Sequence, residues 1–245
     1  ILTVENVAYY SVAIFIAAVI EFPGRAMFQI ISPLVAKAIN ENDDATLLNL
    51  LKKSANNLLL ISGLLFLLIN LNLNDFYAWI NLGDYTVALE VVLIVSLGKL
   101  FTMSMGCLNH IITNSKYYVY VFWFSLISAL LAIALNLILI GYYGIIGAAY
   151  ATLMVMILIN ILKILLVQKR FRMNPFSKKT FLTLVIVFFL YWIISMISFD
   201  YEPFLSLLLR STLIIIAFSF LSYLLKLTED VQKFINKVMP TINKS

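Results

Sequence analysis

Seven long apolar runs fix most of what this chain can fold into. They cover roughly 7 to 37, 54 to 73, 86 to 112, 117 to 140, 144 to 167, 180 to 198 and 204 to 225, and each is close to or above the ~20 residues a helix needs to cross a bilayer. An outer-membrane barrel would instead show segments of ~10 residues alternating apolar and polar. "LLLISGLLFLLINL" and "TFLTLVIVFFLYWIISMI" are apolar on every face, so the spans are helices. Composition agrees: 63% of residues are hydrophobic, 12% are charged and the mean hydropathy is +1.01, far above the usage of soluble domains. The expected fold is an all-α membrane protein of about seven transmembrane helices.

Orientation follows from the lysines and arginines, which cytoplasmic loops retain. Of 17 such residues, all but Arg25, Lys99, Lys163 and Arg210 fall at alternate span ends: Lys37, Lys52 and Lys53; Lys116; Lys169, Arg170, Arg172, Lys178 and Lys179; and Lys226, Lys233, Lys237 and Lys244. The opposite loops ("NLNDFYAWINLGDY", "GYYG", "FDYEP") and the first eight residues contain none. This predicts a chain that starts outside and ends in the cytoplasm. The net charge of +5 is then topological in origin and implies no nucleic-acid partner. Cys107 is the lone cysteine, which offers neither a disulfide framework nor metal-type spacing. "ILTVENVAYY" lacks an initiating Met and a basic n-region, so it reads as a piece of a longer chain and not as a signal peptide.

The first helix continues apolar from Val7 to Ile39, about 50 Å at 1.5 Å per residue, and contains Pro23 and Pro33. Each proline removes a backbone donor and crowds the preceding turn, and a freed carbonyl is tolerated in a membrane only against protein or a wet cavity. This helix is expected to face inward. "NENDDATLLNLLKKS" reads as a short amphipathic connector on the inner surface, with Asp43 or Asp44 as N-cap. "IGYYG" is short enough to force a tight hairpin between the fourth and fifth spans. Beyond it, Gly144, Gly147, Ala148, Ala151 and Thr152 recur at three- and four-residue spacing, the pattern of a close helix-packing face in lipid. "QKRFRMNPFSKK" is a basic inner loop suited to anionic headgroups. Residues 1–225 thus form one transmembrane unit, and 226–245 form a cytoplasmic amphipathic tail of the kind that lies on a membrane surface.

Charge inside the spans is sparse. Glu21 and Arg25 stand four apart in the orientation that favours an ion pair; they either serve a polar cavity or neutralise one another while Arg25 reaches toward the inner face. Lys99, midway along the third span, is a second cationic element for the same cavity or a snorkelling side chain. Arg210 is six residues into the last span and within reach of outer headgroups, and Lys163 reads as an inner-end anchor. Asn109, His110, Asn114, Ser115 and Lys116 cluster at the inner mouth of the third span. An enzyme is not indicated: Asp75, Asp84, Asp200 and Glu202 are spread over the outer loops with the one histidine on the other side, and no nucleophile set, phosphate loop or metal cluster is visible.

The run "GCLNHIITNSKYYVYVFWFSLISALLAIALNLILIGYYGIIGAAYAT", with its "NLILIGYYGIIGAAYAT" core, resembles the C-terminal half of Wzx-type polysaccharide-biosynthesis flippases of the multidrug/oligosaccharidyl-lipid/polysaccharide exporter superfamily. The opening "VAYYSVAIFIAAVIEFPGRAMFQIISPLVAKA" is similar to the first long helix of that half, and the resemblance runs over roughly residues 5 to 225. It implies a fourteen-helix transporter of two lobes, this chain being one lobe and the N-terminal lobe being missing. Further implications are a bacterial inner-membrane location, an undecaprenyl-pyrophosphate-linked oligosaccharide as substrate, alternating access without bond chemistry or cofactor, and polysaccharide assembly proteins as partners. Arg25, then Lys99, would receive phosphates, with Glu21 as a coupling or positioning acid and Arg210 as a further basic position. Other readings are an exporter of peptidoglycan lipid precursor or of cationic drugs, a glycan polymerase or ligase, and a non-transporting assembly subunit.

Overall fold

The computed structural model describes residues 3–198 and 201–227, apart from the side chain of Asp84. Among them the chain is all-helical: α1 (Val4–Ala18), α2 (Phe22–Asn40), α3 (Asp44–Trp79), α4 (Leu89–Met103), α5 (Leu108–Thr113), α6 (Val119–Phe171), α7 (Lys178–Ser195) and α8 (Pro203–Leu224). Six helical stretches are long and apolar enough to cross a membrane. The fold is that of a multi-pass, all-α membrane protein. The predicted tail falls almost wholly outside the described residues.

The 53-residue α6 is not one rod. Gly144 takes φ 57°, ψ −132°, which turns the chain back into arms 119–143 and 145–171. Straight, the helix would measure about 80 Å, yet the rings of Tyr117 and Phe171 at its two ends lie 5.8 Å apart. Gly147 lies so close to the Leu139 carbonyl that a Cβ has no room. The predicted hairpin is therefore present, and with it the seven expected crossings.

Three expected spans have different anatomy. The first bends at Pro23 through a 3-10 turn (Val19–Glu21), whereas α2 continues through Pro33. At the bend the Val19 carbonyl, which Pro23 cannot serve, accepts from the Phe22 amide, and the Ile20 carbonyl accepts a hydrogen bond from Ser62 Oγ of a neighbouring helix at 2.9 Å. The predicted surface connector is instead the first turns of α3, which Asp43 caps by accepting from Thr46 N at 3.0 Å. No Pro or Gly intervenes before Gly63, and the buried stripe Leu47, Leu51, Ala55, Leu58 runs unbroken into the span.

The third span is broken at 104–107 between α4 and α5. Gly106 sits at φ +59°, pressed against the Ala55 amide and the Ser54 hydroxyl. Ser54 Oγ accepts from Cys107 N at 2.9 Å and donates to Leu51 O at 3.0 Å. Only glycine combines that conformation with that approach.

Helix α3 is the spine of the bundle, touching α2, α4, α7 and α8, while α4 bridges it to α1 and α6. Three apolar clusters fill the interior: one among α3, α7 and α8, one among α2, α3, α5 and α6, and one among α1, α3, α4 and α6. The first arm of α6 carries exposed Leu130, Ile133 and Leu137, as a lipid-facing surface does.

Candidate functional site

A cavity of about 330 Å³ opens between α2, the α4–α5 turn and the second arm of α6. Local sequence dictates its lining. Glu21 closes the 3-10 turn ahead of Pro23, and Arg25 and Phe28 follow at i+4 and i+7, so all three share one face. The break at Gly106 swings Met105, Asn109 and His110 round the opposite wall. Asn160 and Lys163, three apart on an apolar arm, supply the third side, with Thr102 and Met103 at the end of α4.

Glu21 does not pair with Arg25. Its Oε2 accepts from Lys99 Nζ at 2.8 Å, with side chains 25% and 16% exposed respectively. The Arg25 guanidinium lies over the Phe22 ring, 5.0 Å from its centroid, and the residue is exposed. Among the described residues no carboxylate pairs with Arg25 or Lys163. The Glu21–Lys99 pair is neutral as a unit, which leaves two uncompensated cations on facing walls. Asn160 Nδ2 donates to Thr102 Oγ1 at 2.9 Å, and Thr102 donates to the Gly98 carbonyl at 3.0 Å. The His110 ring rests against Phe28 at 4.8 Å, and Asn109 Oδ1 is buried without a hydrogen-bond partner.

Several expected positions belong elsewhere. Arg210 is no part of this cavity: it ion-pairs with Asp75 and donates to the Leu71 carbonyl at 2.8 Å, tying α8 to α3. Asp75 is not an outer-loop acid, because α3 runs on to Trp79 and turns that carboxylate toward α8. Asn114 Nδ2 donates to the His110 carbonyl at 2.8 Å and closes α5, while Lys116 lies over the Tyr117 ring at 5.5 Å; neither lines the cavity. Gly144 is a turn residue with open space around it and not a packing contact. Gly147 packs against its own hairpin. Ala148 and Ala151 are buried as expected, and Tyr10 binds that face by hydrogen bonds to Thr152 Oγ1 at 2.8 Å and the Ala148 carbonyl at 3.4 Å.

Lys163 is the residue that sequence reasoning misplaced. Its signal was available: Asn160 and Lys163 are the only strongly polar pair at i, i+3 between Thr152 and Gln168, and such spacing puts both on one face.

Chemically, the arrangement offers two separated cations, side-chain amides and a neutralised ion pair, in a site lined in part by methionine and phenylalanine. It suits recognition of an anion. Among the described residues no group of three or more His, Cys, Asp or Glu is placed to hold a metal ion. The chain matches no protein-family model, no curated protein and no solved structure.

Proposed function

We propose that this chain is the C-terminal lobe of a flippase that carries a lipid-linked oligosaccharide across the bacterial inner membrane, with its first residues outside and its C-terminus in the cytoplasm. One observation carries the reading: Arg25 and Lys163 face a cavity in the membrane-spanning part of the bundle with no carboxylate to neutralise them. A bare cation at that depth costs at least a few kcal/mol on insertion scales, and such residues persist where a pathway needs them. A phosphate-bearing headgroup is the complementary ligand, and guanidinium–phosphate hydrogen bonds are among the stronger ones available.

On this reading Arg25 and Lys163 hold the phosphates of undecaprenyl-pyrophosphate-linked sugar. Lys99 holds Glu21 in place and cancels its charge, so that the acid does not offset the two cavity cations. The prenyl tail stays in lipid, so the protein lowers the cost of dehydrating the headgroup. A second lobe, contributed by further chain or a partner, closes the other side of the path. Two cations argue against a cationic drug as cargo, which would favour acids.

The test uses the intact gene, deleted in its host and complemented with wild type, Arg25→Ala or Lys163→Ala. The proposal expects lipid-linked oligosaccharide to accumulate on the cytoplasmic face and surface glycan to disappear in the deletion and in both variants at normal protein levels. Normal surface glycan in the deletion, with no redundant transporter present, contradicts it.

A further inference from the structure

A second recess, distinct from the cationic cavity, lies on the outside of the bundle. Helices α4 and α7 both pack on α3 but stand apart from one another, and the groove between them encloses about 380 Å³. Its walls include Leu97, Phe101, Phe176, Phe181, Leu184 and Phe188. The hydroxyls along it are already engaged. Ser104 Oγ donates to the Phe101 carbonyl at 2.6 Å, and Ser177 and Thr180 donate to Asn56 Oδ1 at 3.0 and 2.7 Å. With those hydroxyl protons used and the rest of the wall apolar, the groove suits hydrocarbon better than a peptide or a sugar.

Length and charge narrow the occupant. From Ser177 to Phe188 the groove follows α7 for about 16 Å at 1.5 Å per residue, close to half of a ~30 Å hydrocarbon core. It runs from the loop end of α7 toward the middle of the membrane. That loop end carries exposed Arg172, Lys178 and Lys179. Lys178 follows Ser177 and precedes Phe181 by three residues, which sets it on the shoulder of the groove. The N-terminus of the eighteen-residue α7 adds the positive end of its dipole at the same level.

We infer that the α4–α7 groove holds one acyl chain of an anionic phospholipid from the leaflet beside the 168–179 loop, with the lipid phosphate against Lys178 and the neighbouring basic residues. A groove for chain alone would show no headgroup preference. A basic loop alone would bind headgroups without holding a chain. Here the two are joined end to end on one helix.

The test reconstitutes the protein in vesicles with a single tryptophan at the groove, Phe101→Trp, in a background where Trp79, Trp123 and Trp192 are phenylalanine. Quenching is followed as phosphatidylcholine is replaced by dibromo-phosphatidylglycerol or by dibromo-phosphatidylcholine. The expected result is a preference for the anionic lipid of about fivefold per participating lysine, removed by Lys178→Gln with Lys179→Gln. A second variant keeping only Trp123, on the lipid-facing arm of α6, should show no preference. Equal quenching by both lipids at position 101, or a preference that survives loss of both lysines, overturns the inference. If the tryptophan background does not fold, native mass spectrometry of the unaltered chain decides. One phosphatidylglycerol retained, and lost from the double lysine variant, supports the site. No retained lipid, or equal retention of phosphatidylcholine, refutes it.

Discussion

Breaking the Glu21–Lys99 pair should expose the central electrostatic feature of the fold. Removing one partner of a fully buried pair costs about 3–5 kcal/mol, because the other charge is stranded. These side chains keep 25% and 16% of their exposure, so solvent screening reduces the expected cost of Glu21→Gln or Lys99→Met to about 1–3 kcal/mol. At about 2–4 °C per kcal/mol for a chain of this size, each single variant loses several degrees in thermal unfolding of the purified protein. The double variant Glu21→Gln/Lys99→Met removes both charges and should recover most of that loss, giving a coupling of about 1–3 kcal/mol in a double-mutant cycle. The parallel cycle with Arg25→Met should give less than about 0.5 kcal/mol, since Arg25 makes no ion pair with the acid. A larger coupling to Arg25 than to Lys99 would restore the pairing that sequence spacing suggests and refute the charge balance assigned to the cavity.

Three further outcomes follow from particular contacts. Gly106→Ala should cost about 2 kcal/mol or more, combining a left-handed backbone with a blocked Cβ, whereas Gly141→Ala, a helical position with nothing near its Cβ, should be neutral or stabilise by up to about 1 kcal/mol; thermal unfolding of both variants checks the contrast. Arg210→Met should lower the unfolding temperature by stranding Asp75 and yet leave anion affinity at the cavity unchanged in a binding titration. The Asp43 carboxylate is held below its usual range by its hydrogen bonds to Thr46. Its contribution is therefore present above the unfolded pKa of about 3.9 and is lost as pH falls through the lower folded value; Asp43→Asn keeps the cap and should flatten that acid limb in a stability-versus-pH series.

Hydropathy alone located the crossings, because spanning segments must be apolar for a membrane's width and little else in a sequence looks like that. The hairpin was equally legible, since "IGYYG" leaves too little chain for any other connection. What the sequence concealed lay where tertiary contacts override local rules. Pro23 follows a 3-10 bend that Ser62 of another helix ties down, whereas α2 runs on through Pro33. The break after Met103 depends on Gly106 meeting Ala55, some fifty residues away. Asp75 read as a loop acid because helix ends are invisible where flanking residues stay apolar.

The site was half legible for the same reason. Glu21, Arg25 and Lys99 stood out as charges in apolar surroundings, and all three fall at or beside the cavity. The pairing rule for residues four apart nevertheless chose the wrong partner for Glu21, because it knows nothing of α4. Lys163 escaped because its distance from a helix end suggested snorkelling, whereas the hairpin turns its face toward α2 and α5. Arg210 misled in the opposite direction: a deep cation looks functional until its carboxylate is found.

The central claim is that Arg25 and Lys163 make the cavity an anion site, and it is tested most directly by titrating the purified protein with farnesyl diphosphate as a short prenyl-diphosphate probe. Charge-assisted hydrogen bonds of about 1.5–3 kcal/mol predict that Arg25→Gln and Lys163→Gln each weaken binding about tenfold to a hundredfold, while Arg210→Gln leaves it unchanged. Undiminished affinity in both cavity variants, or a loss confined to Arg210→Gln, would contradict the account.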